Sequence, residues 1–185
     1  MRVLVGIVGY RNLRDFSAPF AILEQLEATP PGQDVLLEDV SYNPIAVVQW
    51  LESEPPDARF GRVVFVAAVG RGRPAGTVTS WRWDAVLPSD ADVQQAVAEA
   101  VTGIISLENT LVIAGYFKAL PSEVVVVEIE PLDHAFGAEM SPDVQAAIEP
   151  ACARVLELAQ RRDALQQLPP LPLPRRDYQK TGGRW

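Results

Sequence analysis

The sequence is short of the residues on which most metal and nucleophile chemistry depends. Its 185 residues hold one cysteine, Cys152, and one histidine, His134. A lone thiol closes no intramolecular disulfide, and sparing use of cysteine points to a reducing, cytoplasmic compartment. An ordinary zinc site needs three or four converging ligands, and here only carboxylates remain to complete one. Any Ser-His-Asp or Cys-His arrangement would have to use His134. That residue stands beside Asp133 in a loop, where surface hydrogen bonding is the simpler role. Cys152 falls near the apolar stripe of a helix, the setting of a buried, inert thiol.

Long apolar runs and excess positive charge are missing as well. No stretch approaches the ~20 apolar residues of a membrane span. The apolar start is interrupted by polar and basic groups at 10–14, with no small-residue cleavage site, so it reads as a first strand and not a signal peptide. The net charge of −8 disfavours nucleic acid, whose phosphates would be repelled. Arg175, Arg176, Lys180 and Arg184 against Asp177 give residues 169–185 a net +3, which leaves −11 for the rest. No motif calls for a cofactor, and nothing in the sequence sets the oligomeric state.

What is present is an alternation of strands and helices. Residues 2–8, 35–40, 63–69, 77–83 and 123–129 are apolar, β-branched runs suited to strands, the third continuous enough to be covered on both faces. Ser17 with Pro19, Asn43 with Pro44, and Ser141 with Pro142 mark helix starts. Helical material over 90–116 is interrupted near Thr102-Gly103 and Ser106. The pattern predicts one α/β domain over 1–165, a doubly wound, mostly parallel or mixed sheet of about five strands with helices on both faces. Residues 166–185, with Pro169, Pro170, Pro172 and Pro174, read as a flexible, proline-rich basic tail. Such a run is more often a spacer than a polyproline ligand for an aromatic groove.

Two constellations carry possible chemistry. The loop 70–76, Gly-Arg-Gly-Arg-Pro-Ala-Gly, follows a strand as a phosphate cradle would. Its spacing fits neither the dinucleotide fingerprint nor the P-loop, so a solvated turn is expected. Asp15, Asp39, Glu128 and Glu130 fall near the carboxyl ends of strands, where open α/β sheets form their ligand crevice. Convergence there, against four separately solvated acids, is left open by the sequence.

Several segments resemble, in order, the hydrogenase maturation endopeptidases. The first strand with Gly9, Asp15 and a helix to Leu26 is similar to that family's opening, and Leu37-Glu38-Asp39 to its second strand ending in Asp. The strand at 63–69 followed by Pro74-Ala75-Gly76-Thr77 resembles its apolar strand and Pro-Gly-Thr turn. Leu120-Pro121 with the strand at 124–131, and Met140-Ser141-Pro142 with the helix through Ala151, resemble its closing elements. The resemblance covers about residues 2–160.

It implies a three-layer α/β/α sandwich of the phosphorylase/hydrolase type, and an enzyme that removes a C-terminal extension from a [NiFe] hydrogenase large subunit. It also implies three groups that touch nickel in the precursor. Here their places fall on Phe16, on Val66 or Ala67, and near Gly103, none of which coordinates nickel. The expectation is therefore a non-catalytic or divergent homologue, a pseudoenzyme without a metal site, which binds the large subunit, its precursor or another maturation protein. Tyr10 and Phe16, with Arg71 and Arg73, are its candidate binding residues. The alternatives are an active endopeptidase using Asp15, Asp39 or Glu128, and a small-molecule hydrolase or binding module of the same fold.

Overall fold

The computed structural model describes residues 1–173. One sheet runs through it, with strands β1 (Val3–Val8), β2 (Val35–Asp39), β3 (Arg62–Ala68), β4 (Val78–Trp83), β5 (Glu123–Ile129) and β6 (Pro170–Leu171) in the order β2-β1-β3-β5-β4-β6. The pairs β1·β2, β1·β3 and β3·β5 are parallel, and β4 runs antiparallel to β5. The central strands are buried from end to end, Glu123 at the start of β5 excepted, because both faces are covered. Their β-branched runs suit a pleat packed on both sides.

Helices α1 (Ala18–Ala28) and α5 (Pro142–Gln160) cover one face, with the short α6 (Arg162–Gln166) beside them. Val5, Ile7, Val64, Val66, Val125 and Val127 point into that layer. The other face packs Leu4, Phe65, Val124 and Val126 against α2 (Pro44–Ser53) and α4 (Leu107–Tyr116). Helix α3 (Asp90–Val101) contributes Val93, Ala96 and Ala100 to a third cluster with α2 and α4. This is the expected sandwich, with two corrections.

Among the described residues the sheet has six strands where about five were expected. The extra one, β6, pairs with Arg82 and Trp83, and two residues that include a proline leave no strand pattern to read. Part of the expected tail also belongs to the fold. Leu168 lies in the core and Leu173 packs against the clusters that α2 and α4 build. The basic residues of that tail lie outside the described residues.

The interruption between α3 and α4 falls where Gly103 adopts a left-handed φ of 86° and Ser106 caps α4 by accepting the Asn109 N–H. Ser17 and Ser141 precede helices as expected, but neither caps with its side chain. Ser17 donates to the Arg14 carbonyl, closing a 3-10 turn at Arg14–Ser17, and Ser141 is diverted to Asp15.

Candidate functional site

Parallel strands end together, so the segments that follow them meet at one rim. Here they are residues 9–17 after β1, 40–43 after β2, which ends on Asp39, 69–77 after β3 and 130–141 after β5. The 102–106 link before α4 joins them, since Tyr10 Oη accepts the Ile105 N–H at 2.7 Å.

Asp15 is fully buried. Its carboxylate accepts the N–H groups of Leu132 and Asp133 at 2.8 Å each, the Ser141 N–H at 2.6 Å, and the Ser141 hydroxyl at 2.8 Å. Burial pushes its pKa up, but these donors outweigh burial and hold it below its ordinary value. A backbone zipper reinforces the contact: Arg14 N–H donates to the Gly137 carbonyl, Gly137 N–H to Asn12, and Asp15 N–H to Asp133. Asn12 and Arg14 take positive φ values of 61° and 41°, a strained backbone held by its surroundings. Arg14 closes the outer side with a 2.7 Å ion pair to Asp133. Asp15 thus clasps the 130–141 loop, and its bonds leave it little capacity to bind metal or activate water.

Glu128 and Glu130 are bound differently. Glu128 meets Arg71 at 2.8 Å and Arg73 at 3.0 Å, and Arg71 also reaches Glu108 at 2.7 Å. Glu130 takes the Arg73 Nε at 2.8 Å together with the backbone N–H groups of Arg71 and Gly72 at 2.8–2.9 Å. Arg73 also donates to Thr79 Oγ1. Burial lowers the Arg71 pKa, but bonding to Glu128 and the charge of Glu108 raise it further, so its cation is firmly kept.

The loop at 70–76 joins β3 to β4 with Gly70, Gly72 and Pro74 exposed, as a solvated turn would, but its two arginines are largely covered. Its N–H groups and guanidiniums cradle an anion, as a phosphate loop would, and the anion is the protein's own Glu130. Gly76, with φ of 75°, lies so close to the Asp143 carbonyl that a Cβ there would overlap it, which locks this loop against the start of α5.

The four candidate acids do not form one cluster. Glu128 and Glu130 share the arginine site, Asp15 serves the clasp, and Asp39 stands at the edge strand. The Asp39 carboxylate accepts the Ser41 N–H at 2.9 Å and has Arg11 at 3.6 Å, with 36% of the side chain exposed. Phe16 and Tyr10 are half-buried, and Phe16 meets His134 edge to face at 6.0 Å. Cys152 is buried, and burial pushes its thiol pKa up. Reading the sequence missed Glu108. It sits in the first turn of α4 with nothing around it in sequence to mark an ion-pair partner.

The places where the resemblance puts nickel-touching groups carry no donor side chain that fits. Ala67 lies on β3 in register with Glu128 on β5, Val66 points into the opposite layer, and Gly103 has open space where a Cβ would stand. Among the described residues, no group of three or more His, Cys, Asp or Glu side chains is placed to hold a metal ion. Among them, too, no helix is long and apolar enough to cross a membrane.

No family model matches the chain, and no curated protein matches it in sequence. Solved structures do match. The hydrogenase 2 maturation peptidase of a Thaumarchaeota archaeon superposes with a TM-score of 0.60 over 85% of this chain and 97% of its own, at 25% identity. The hydrogenase maturating endopeptidase HybD of E. coli gives 0.60 over 84% and 90%, at 19% identity. HybD of Thermococcus kodakarensis, a [NiFe] hydrogenase maturation protease, gives 0.55 over 86% and 100%, at 18% identity. The fold is that of the hydrogenase maturation peptidases. Within that maturation-peptidase fold the rim is closed by internal pairs, the Asp15 clasp on one side and the arginine–glutamate cluster on the other.

Proposed function

We propose that the chain acts in [NiFe] hydrogenase maturation as a non-catalytic or divergent relative of the maturation peptidases, binding a large subunit, its precursor or another maturation protein. The observation that carries this reading is the state of the rim. Phe16, Ala67 and Gly103 stand where coordinating side chains are implied, and Asp15, Glu128 and Glu130 are bonded internally. A nickel ion in a substrate would meet no matching donor set at this rim. Half-buried Tyr10 and Phe16 offer aromatic surface in its place.

The active-endopeptidase alternative keeps one specific support, since Asp39 has 36% of its side chain exposed at the rim where Asp15 and Glu128 are buried. The small-molecule reading has little beside it. A cavity of about 290 Å³ lined by Leu51, Phe60, Lys118 and Leu120 lies at the amino ends of the strands, away from the rim.

The test mixes the protein with a nickel-loaded hydrogenase large-subunit precursor and records native and intact masses. An uncut precursor in complex is the expected result. A precursor shortened at its C-terminus would make the chain a working protease, and neither binding nor cutting would remove the assembly role.

A further inference from the structure

The clasp builds something besides a closed rim. Between its two anchor points, Leu132–Asp133 and Ser141, the chain turns outward and exposes Phe136 by 84% and Leu132 by 70%. Exposed single hydrophobics are common, but these two share a turn held at both ends. Asp15 pins the turn through four bonds, Gly137 is hydrogen-bonded to Asn12 and Arg14, Ala135 N–H caps onto Asp133 at 2.8 Å, and His134 rests on Phe16. The strained residues Asn12 and Arg14 face it across the zipper. A rigid turn displaying large apolar side chains has lost its conformational freedom before it meets anything, which is how an anchor residue gains affinity.

The charges around the turn describe what it fits. Residues 131–143 contain Asp133, Glu139 and Asp143 and no lysine or arginine, and residues 1–168 carry a net −11. Arg14, which packs beside Gly137, pairs with Asp133, so Glu139 and Asp143 are the uncompensated charges of this segment. An apolar tip on an acidic base complements an apolar socket rimmed by lysine and arginine.

We propose that the 132–136 turn is a preformed plug, with Phe136 and Leu132 as anchors, that inserts into a basic-rimmed apolar socket on the protein's partner. The inference rests on the assembly reading, takes the large-subunit precursor as the partner, and adds the contact by which it is held. Recognition then depends on shape and charge at this turn.

The experiment titrates the purified large-subunit precursor, nickel-free and nickel-loaded, with the full chain by calorimetry. The wild type is compared with Leu132→Ser/Phe136→Ser and with Phe117→Ser, which removes another exposed aromatic at the far end of α4. The expected result is a Kd at least tenfold weaker for the double variant, an unchanged Kd for Phe117→Ser, and equal melting temperatures for all three. Wild-type binding should also weaken severalfold as salt rises. Equal binding by the double variant and the wild type overturns the plug and leaves the assembly reading intact. A Kd unmoved by salt overturns the basic socket. A wild type that binds neither precursor form fails the assembly reading, and the proposed partner falls with it.

Discussion

Asp15 is held by four neutral donors, whereas Glu128 and Glu130 lie under the guanidiniums of Arg71 and Arg73. Both sets of buried acids stand at the same rim, and they solve the cost of burying charge by different means. Neutral backbone donors have fixed positions, so Asp15 is satisfied by one conformation of the 130–141 loop and thereby dictates it. Long arginine side chains are more forgiving. They link β5, α4 and the 70–76 loop by charge, and a lost partner can be partly replaced by another. The first arrangement sets shape, and the second closes the crevice floor.

The largest expected effect follows from removing the single acceptor of the clasp. Asp15→Ala leaves the N–H groups of Leu132, Asp133 and Ser141 without their acceptor, and we expect a loss of about 3–5 kcal/mol in urea unfolding. The contribution has a definite pH window. Because the folded-state pKa of Asp15 is depressed, its stabilisation is fully present above its unfolded value of about 4 and is lost as pH falls through the lower folded value. The difference between wild type and Asp15→Ala should therefore be flat from neutral pH down to about 5 and shrink below about 4. A difference that stays constant into acid would show that the clasp does not depend on the ionised carboxylate.

Arg71→Met tests the other arrangement. It strips Glu108 of its partner and takes one of two cations from Glu128, which is only 2% exposed. We expect a loss of about 2–3 kcal/mol, below that of a fully broken buried pair because Arg73 remains. Adding Glu108→Gln should recover part of it, a coupling measurable in a double-mutant cycle. Strict additivity would mean that Glu108 is simply solvated and that the cluster is smaller than drawn.

The sheet was legible from the sequence because its strands are continuous β-branched runs such as Val63, Val64, Phe65 and Val66, and the helices were legible from serine, asparagine and proline at their starts. The rim was legible only in its ingredients. Asp15 was visible as an acid after a strand, yet its donors come from residues 117–126 positions away, and no local pattern encodes such a pairing. The arginine loop was visible as a cradle without a ligand, because Glu130 lies 57–59 positions downstream. Ser141 marks a helix start, but its hydroxyl donates to the buried carboxylate of Asp15, and its oxygen accepts no helix N–H as a cap would. Local rules found the elements, and long-range polar satisfaction decided what the rim became.

The smallest effect separates the two arrangements most sharply. Arg73→Gln removes a cation from both Glu128 and Glu130, so a picture of isolated ion pairs would make it as damaging as Arg71→Met. The geometry argues otherwise. Glu130 keeps the N–H groups of Arg71 and Gly72, Glu128 keeps Arg71, and the glutamine amide is long enough to stay near Thr79 or Glu130. The expected loss is about 1 kcal/mol, the worth of one ordinary hydrogen bond, with little change in the loop. Denaturant unfolding of the two arginine variants side by side checks the order. If Arg73→Gln costs as much as Arg71→Met, the backbone cradle contributes little to holding Glu130, and charge alone keeps the crevice floor closed.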